Sequence, residues 1–290
     1  MLCALKTACR WVLVVPIFMF CQSIYAQSFD KVMYRITYKA RFVKDTLVRD
    51  SNSNYRYLDD EMRLDIGRKC NAFYSSREKQ LYDYWAEAMK RGGEVSPDMQ
   101  RPAYVNLTLK SFRNYPEGSN TWMISSGLYG SYRFEEPMSE PQWSLCADTC
   151  TILGYSCSKA ETYYKGRHWT AWYTDEIPIG QGPWFLSGLP GLILKAEDAR
   201  LQWVFTAVGL EQMKGEEELS PSSYLRKAEP ASWKQYLAFR RTTTMDEAMQ
   251  SRSGGVRIYG VNPDGTDMTE QQYNQVYKRI EPFNPIDLSE

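Results

Sequence analysis

The chain of 290 residues holds a single histidine, His168, in Gly166-Arg167-His168-Trp169-Thr170. Any Ser–His–Asp or Cys–His hydrolase built on it must use that residue as its base. Its setting, on a strand just after a turn, also suits an ordinary surface histidine. No Gly-x-Ser-x-Gly elbow precedes a helix, and one histidine cannot supply both ligands of an H-E-x-x-H motif. Gly180-Gln181-Gly182 lacks the third glycine of a dinucleotide fingerprint, and there is no Walker loop. Carboxylate-pair chemistry stays open, but its candidates are poorly placed. Asp175 and Glu176 are adjacent and so point to opposite faces of a strand. Asp59-Asp60-Glu61 and Glu197-Asp198 read as turn residues. No catalytic, cofactor-binding or metal-ligating residue is assigned, and no cofactor is called for.

Sulfur offers a second chemistry. Cys3, Cys9 and Cys21 fall in the first 26 residues, leaving Cys70, Cys146, Cys150 and Cys157, an even number that suits an oxidising compartment. Thr149 to Cys157 reads as a hairpin turning at Leu153-Gly154. Cys150 would then face Cys157 within bridging distance, and Cys146 would bridge to Cys70. Four cysteines allow three pairings, and the other two stay open. A zinc site on the spacing C-x3-C-x6-C would lack both a paired CxxC and a nearby histidine.

The elements that carry these residues are mostly strands. Val32, Tyr34, Ile36, Tyr38, Ala40 and Phe42 alternate with Arg35, Thr37, Lys39 and Arg41, the period-two pattern of a half-buried antiparallel strand. Met62 to Ile66 alternates likewise, after a turn at Asp50 to Asn54. Ser75 and Glu78 form a capping box for a helix at 76–91, packed by its Leu81–Trp85 face and ended by Gly92-Gly93. Further strands are expected at 105–109, 123–134 (broken by Gly127 and Gly130), 143–150, 155–165, 167–174, 190–197 and 201–209. Short Gly, Pro and Asn breaks between them indicate an antiparallel meander. After the solvated loop around Glu216 to Ser223, a helix starts at Trp233 behind a Ser232–Gln235 box. Its stripe runs through Tyr236, Leu237, Met245, Ala248 and Met249, and Ser253-Gly254-Gly255 ends it. Residues 260–290 read as irregular. The expected fold is mainly β: a curved antiparallel sheet or half-barrel partly covered by two helices, loosely like periplasmic lipoprotein carriers.

The run Gly182-Pro183-Trp184 to Gly188-Leu189-Pro190-Gly191-Leu192-Ile193 has a mechanical reading. Pro183 and Pro190 fix bends, and Gly188 and Gly191 permit positive φ or close backbone approach. Leu189, Leu192 and Ile193 then enter the core. A phosphate cradle is excluded, because both prolines lack the N–H such a loop needs. Trp169, Trp172, Tyr173 and Trp184 cluster around the run, either as core filling or as an aromatic patch for a ligand or partner.

Residues 1–26 read as a secretory signal peptide. Lys6 and Arg10 precede the apolar run Trp11 to Phe20, and Ala26 precedes the cut. Removing Lys6 and Arg10 from 35 basic residues leaves 33 against 35 acidic ones, a balance that argues against a nucleic-acid footprint. Residues 27–290 read as one domain. Its sheet occupies 27–215 with the inserted helix, and a helical and irregular part occupies 216–290. No second run is long enough to span a bilayer.

Several blocks carry a resemblance. Gly154-Tyr155-Ser156-Cys157-Ser158-Lys159-Ala160, Gly166-Arg167, Trp169 to Pro178, Gly182-Pro183-Trp184, Gly188 to Ile193 and Asn284-Pro285-Ile286 occur in order. In these motifs, from about residue 30 onward, the chain resembles the GLPGLI family of exported proteins from Bacteroidota, including Porphyromonas and Bacteroides. The resemblance implies a periplasmic or outer-membrane location and a sheet-rich fold, and it carries no established catalytic residues. Asp45-Thr46-Leu47 also matches the short O-glycosylation pattern of exported Bacteroidota proteins. The expected function is a non-enzymatic binding or accessory protein holding an apolar or peptide-like ligand or an outer-membrane partner. The alternatives are a hydrolase using a carboxylate pair or His168, and a structural scaffold for an outer-membrane transporter.

Overall fold

The computed structural model describes residues 30–93, 106–126, 129–219, 225, 228–253, 260, 262 and 266–289. The signal segment, Gly127, the loop residues 220–223 and the helix stop at Gly254-Gly255 lie outside the described residues.

Most of the alternating sequence becomes strand, but of the strand expected at 105–109 only Leu109 lies in one, and Asn106 to Thr108 are irregular. A first meander runs through β2 (Tyr34–Phe42), β3 (Leu58–Ile66), β4 (Asn71–Ser75), β5 (Leu109–Arg113), β6 (Ser119–Ser126) and β7 (Gly130–Pro137). A second runs through β8 (Ser144–Ile152), β9 (Tyr155–Tyr164), β10 (Arg167–Thr174), β11 (Leu192–Asp198) and β12 (Trp203–Gln212). The two join where β12 pairs antiparallel with β2, Phe205 opposite Ala40. The short β14 (Glu229–Pro230) adds in parallel to β7 and makes a curved, non-closed sheet of 12 strands ending at β14 and β8. β8 pairs only with β9 among the described strands. Its register shifts between Leu145 and Thr149, so that Cys146, Ala147 and Asp148 stand opposite Lys159 alone. A separate ribbon pairs β1 (Asp30–Lys31) with β13 (Glu218–Leu219).

The period of two puts Ile36, Tyr38, Ala40 and Phe42 on the inner face, in one core with Met62, Leu64, Phe73, Trp122, Trp169 and Phe205. Each fully buried large apolar side chain contributes about 1.5–3 kcal/mol. The outer face of β4–β6 has its own core of Ala72, Tyr74, Phe112 and Met123, beside Leu219 of the ribbon and Val32, which follows β1. Asp65 accepts from Arg35 Nε at 2.7 Å and from the Tyr74 hydroxyl at 2.6 Å on that side.

Some expectations are revised. Asp59-Asp60-Glu61 and Glu197-Asp198 lie in β3 and β11, not in turns. Asp60 is buried because it accepts from the Asn106 and Leu107 N–H groups at 2.9 and 2.8 Å. Helix α1 (Ser76–Lys90) is capped by Ser75, but Glu78 does not reach back; it pairs with the buried Lys110 at 2.7 Å. Only Ser76, Glu78 and Ala88 of α1 are buried, and Trp85 is 49% exposed rather than packed inward. The expected single C-terminal helix is two, α2 (Trp233–Thr242) and α3 (Met245–Arg252), because Thr243 turns extended and Thr244 caps the second. Ser232 makes no side-chain cap bond. A further helix, α4 (Glu270–Tyr277), occupies the segment expected to be irregular. Four helices, not two, therefore accompany the sheet among the described residues, none of them long and apolar enough to cross a membrane.

Candidate binding site

The proline–glycine run folds into the concave side of the sheet. Gly188 adopts φ +87° and donates its N–H to Gly180 O at 3.0 Å. Gly191 has no left-handed φ; it is needed for close approach, since a Cβ there would lie 2.9 Å from Asp175 Cα and collide with the Thr174 carbonyl. Pro183 accepts from Leu186 N–H at 3.1 Å, and Trp143 Nε1 donates to Ser187 O at 2.7 Å. Leu189, Leu192 and Ile193 are buried, the last two in β11. Pro190 is the exposed corner before them.

The loop plugs the concavity with rings. Trp184 lies 5.9 Å from Tyr164 and 6.2 Å from Trp169, and Phe185 lies 5.8 Å from Trp122. Trp169, Tyr173 and Trp184 are core residues, while Trp172 is half-buried on the other face of β10 with Lys159 and Lys195 as cross-strand neighbours. His168 is exposed with its ring against Tyr163 at 4.8 Å, and it forms no side-chain hydrogen bond or ion pair among the described residues. Asp175 and Glu176 are exposed, and Glu176 accepts from Ser156 N–H.

Among the described residues Cys70, Cys146, Cys150 and Cys157 are free thiols. Cys150 and Cys157 are cross-strand partners in the β8–β9 hairpin, which turns through Leu153 and Gly154, both at positive φ. Cys70 is buried just before β4, and six strands separate β4 from the strand of Cys146. The expected Cys70–Cys146 bridge therefore has no geometric support. Among the described residues, no group of three or more His, Cys, Asp or Glu could hold a metal ion.

The open seam between β7 and the β9–β10 turn is closed by polar contacts and the C-terminal tail. Lys165 in that turn pairs with Glu136 of β7 and with Asp287 of the tail. Burial pushes the Glu136 carboxyl above its ordinary value, with Lys165 opposing. Arg167, 3% exposed, grips the tail. Its Nε donates to Ile286 O at 3.0 Å, and Nη2 donates to Asn284 Oδ1 at 2.8 Å and Pro285 O at 2.5 Å. Nη1 reaches Asp198 Oδ2 at 2.8 Å and Gln202 Oε1 at 3.1 Å. Asn284 Nδ2 donates onward to Val43 O at 2.8 Å. Two blocks far apart in sequence, Gly166-Arg167 and Asn284-Pro285-Ile286, are thus one clamp.

Where the tail crosses the strand ends, a cavity of about 310 Å³ remains. Phe42, Leu107, Leu109, Ile124, Trp203 and Phe283 supply its apolar wall, and the rings of Phe42 and Trp203 are stacked at 5.2 Å. Lys44, Arg240 and Glu281 supply its charges. Glu281 accepts from Lys44 Nζ at 2.6 Å and from Arg240 Nη2 at 3.1 Å. The Arg240 guanidinium is sandwiched 3.9 Å from the Tyr129 ring centroid and 4.5 Å from that of Phe283. Arg240 and Trp203 are each 4% exposed, and Arg240 Nε and Trp203 Nε1 are buried with no acceptor among the described residues. An unsatisfied buried donor costs about 1–3 kcal/mol. None of these residues was singled out as a site from sequence. The available signal was Arg240 in the stripe Trp233, Tyr236, Leu237, Arg240, a cation on the buried face of a helix.

Residues 161–195, which include the Gly188–Ile193 run, match the family described as "Protein of unknown function (Porph_ging)". No curated protein matches the chain. Two solved structures of PNGF-II are similar, in the P21 space group (TM-score 0.45) and the C2 space group (TM-score 0.43), each at 15% identity. Either alignment takes in 71% of this chain and 32% of the PNGF-II chain, so this chain spans about a third of that protein.

Proposed function

We propose that this chain is a non-enzymatic binding or accessory protein of the cell envelope, exported through its first 26 residues, of the GLPGLI type within the matched family. Its ligand is a small apolar or peptide-like molecule held in the seam cavity. The observation that carries this reading is a cavity walled mainly by rings and aliphatic chains and bordered by the charged side chains of Lys44, Arg240 and Glu281. Small-molecule sites have this make-up, apolar walls with a few directed polar groups, and volumes of roughly 300–1,000 Å³. A hydrolase would need an acid and a base converging there. Among the described residues the cavity has one lining carboxylate, Glu281, already paired with Lys44 and Arg240. The concave face cannot act as a wide lipid container, because the Trp184–Leu189 loop fills it.

Native mass spectrometry of protein purified gently from envelopes tests the reading. A small-molecule adduct that disappears on denaturation is expected. Uniformly ligand-free protein, together with no thermal shift across a small-molecule library, would count against it.

A further inference from the structure

We infer that a second pocket, beside the Gly188–Ile193 loop, binds a small phosphate monoester through Arg68, Lys69 and Arg113. It lies at the opposite end of β5 from the seam cavity: Leu109 borders that one and Arg113 this one, and the two share no lining residue. Its volume is about 320 Å³. The three cations line it together with Asn71, Asn114 and Gln181, and no carboxylate does among the described residues. Arg68 and Lys69 are exposed on the turn between β3 and β4, and their side chains form no ion pair or hydrogen bond among the described residues. The turn itself is fixed. Asp30 accepts from the Lys69 and Cys70 N–H groups at 2.6 and 3.0 Å, and Asn114 Nδ2 donates to Lys69 O at 2.6 Å. Arg113, 6% exposed, is the cross-strand partner of Asn71, 9% exposed, so the two share one face of the sheet. Arg113 Nη2 pairs with Glu140 at 2.6 Å, and a Cβ on Gly188 would lie 3.4 Å from Glu140 Oε2. Gly188 is bonded in turn to Gly180, which separates the lining residues Ile179 and Gln181. The guanidinium therefore sits between β5 and the loop, the two walls of the pocket. Of its five N–H groups, Glu140 takes one and Ser139 O, at 3.4 Å, another.

Two carboxylates stand nearby. Glu140 is paired with Arg113, and Asp30, 8% exposed, is enclosed by backbone N–H groups. Arg68 and Lys69 remain as two uncommitted cations, the complement of a dianion. A phosphate monoester carries about −1.5 to −2 at pH 7 and offers three strong acceptor oxygens, which suit a guanidinium fork. Side chains make these contacts, so the prolines of the loop do not oppose them. Ile66, Met138 and Ile179 supply apolar surface for the body of the ester.

The test is calorimetric titration of the whole exported chain at pH 8 with phenyl phosphate, phenyl sulfate and inorganic phosphate. Phenyl sulfate has nearly the same shape and one charge fewer. Phenyl phosphate should bind at least about tenfold more tightly than phenyl sulfate, because its second charge meets a second cation. It should also outbind inorganic phosphate through contact with the apolar lining. Arg68→Ala and Lys69→Ala remove exposed side chains, so the melting temperature should hold while each weakens phenyl phosphate binding by about tenfold. Equal affinity for the two esters would overturn the dianion assignment. Inorganic phosphate binding as tightly as phenyl phosphate would overturn the ester in favour of free phosphate. No binding of any probe by natively folded protein, or binding unchanged in both variants, would overturn the site. None of these results bears on the seam cavity, whose lining is separate.

Discussion

Replacing Arg167 by methionine keeps most of the side-chain stem and deletes a guanidinium that serves five acceptors on three segments. The largest loss is at Asp198, 2% exposed, whose carboxylate would keep, among the described residues, only the Trp203 N–H at 2.8 Å. Removing one partner of a buried ion pair costs about 3–5 kcal/mol. The Pro285 and Ile286 carbonyls also lose their donor, at about 1–3 kcal/mol each if they stay buried. The tail can lift away and rehydrate them, so the expected net loss is about 4–5 kcal/mol, a large share of the roughly 5–15 kcal/mol that holds a domain together. Urea unfolding followed by tryptophan fluorescence measures it. Hydrogen exchange at the Leu288 N–H, bonded to Lys165 O at 2.9 Å, reports whether the tail has lifted. Arg167→Met combined with Asp198→Asn should recover part of the loss, because no unpaired charge remains. A loss below about 1 kcal/mol with native protection at Leu288 would refute the clamp.

Three further outcomes follow from the geometry. Gly191→Ala should cost about 1–3 kcal/mol by overpacking against Thr174 and Asp175; an unchanged denaturation midpoint would mean that the loop and β10 part freely. In oxidised protein, non-reducing peptide maps should show Cys150 joined to Cys157, with iodoacetamide reaching Cys146 first and Cys70 last. Burial, and then Asp30, push the Cys70 thiol up to about 12, and equal labelling rates of Cys70 and Cys146 would contradict this. Glu136 holds its proton more tightly in the folded chain than the ordinary value of 4.5, chiefly through burial. Its contribution is therefore full below that value and is lost as pH rises through the folded pKa. The Tm of the parent minus that of Glu136→Gln should accordingly shrink from pH 4 to pH 7, and a constant difference would refute the shift.

Much of the sheet was legible because one face of each strand is buried and the other is wet. The alternation over Tyr34 to Phe42 and the turn at Leu153-Gly154 correspond directly to β2 and the β8–β9 hairpin, whereas Val32, expected on the same face, precedes β2 and packs in the outer core. β4 was missed because all five of its residues are buried and show no period. Asp60 and Asp198 looked like turn residues because their partners, the Asn106–Leu107 backbone and Arg167, are remote in sequence. Helices α3 and α4 had readable starts, Thr244-x-x-Glu247 and Thr269-x-x-Gln272, both formed as capping boxes, but the polar composition around them obscured the signal. The cavity could not be read in advance. Its wall comes from the ends of β2 and β6, the approach to β5, the start of β12, helix α2 and the tail, and it exists only once they are assembled.

Among the described strands the sheet stops at β8, nine residues long, with one side unpaired. A straight outer strand of that length is a template onto which another copy can zip. Here the rail is creased, because three residues crowd against Lys159 and the crease carries the charge of Asp148. An incoming strand could match only the short stretches on either side of the crease. Crowded together, copies of this protein would meet a broken track, and the same irregularity that spoils the pairing guards against fibre growth.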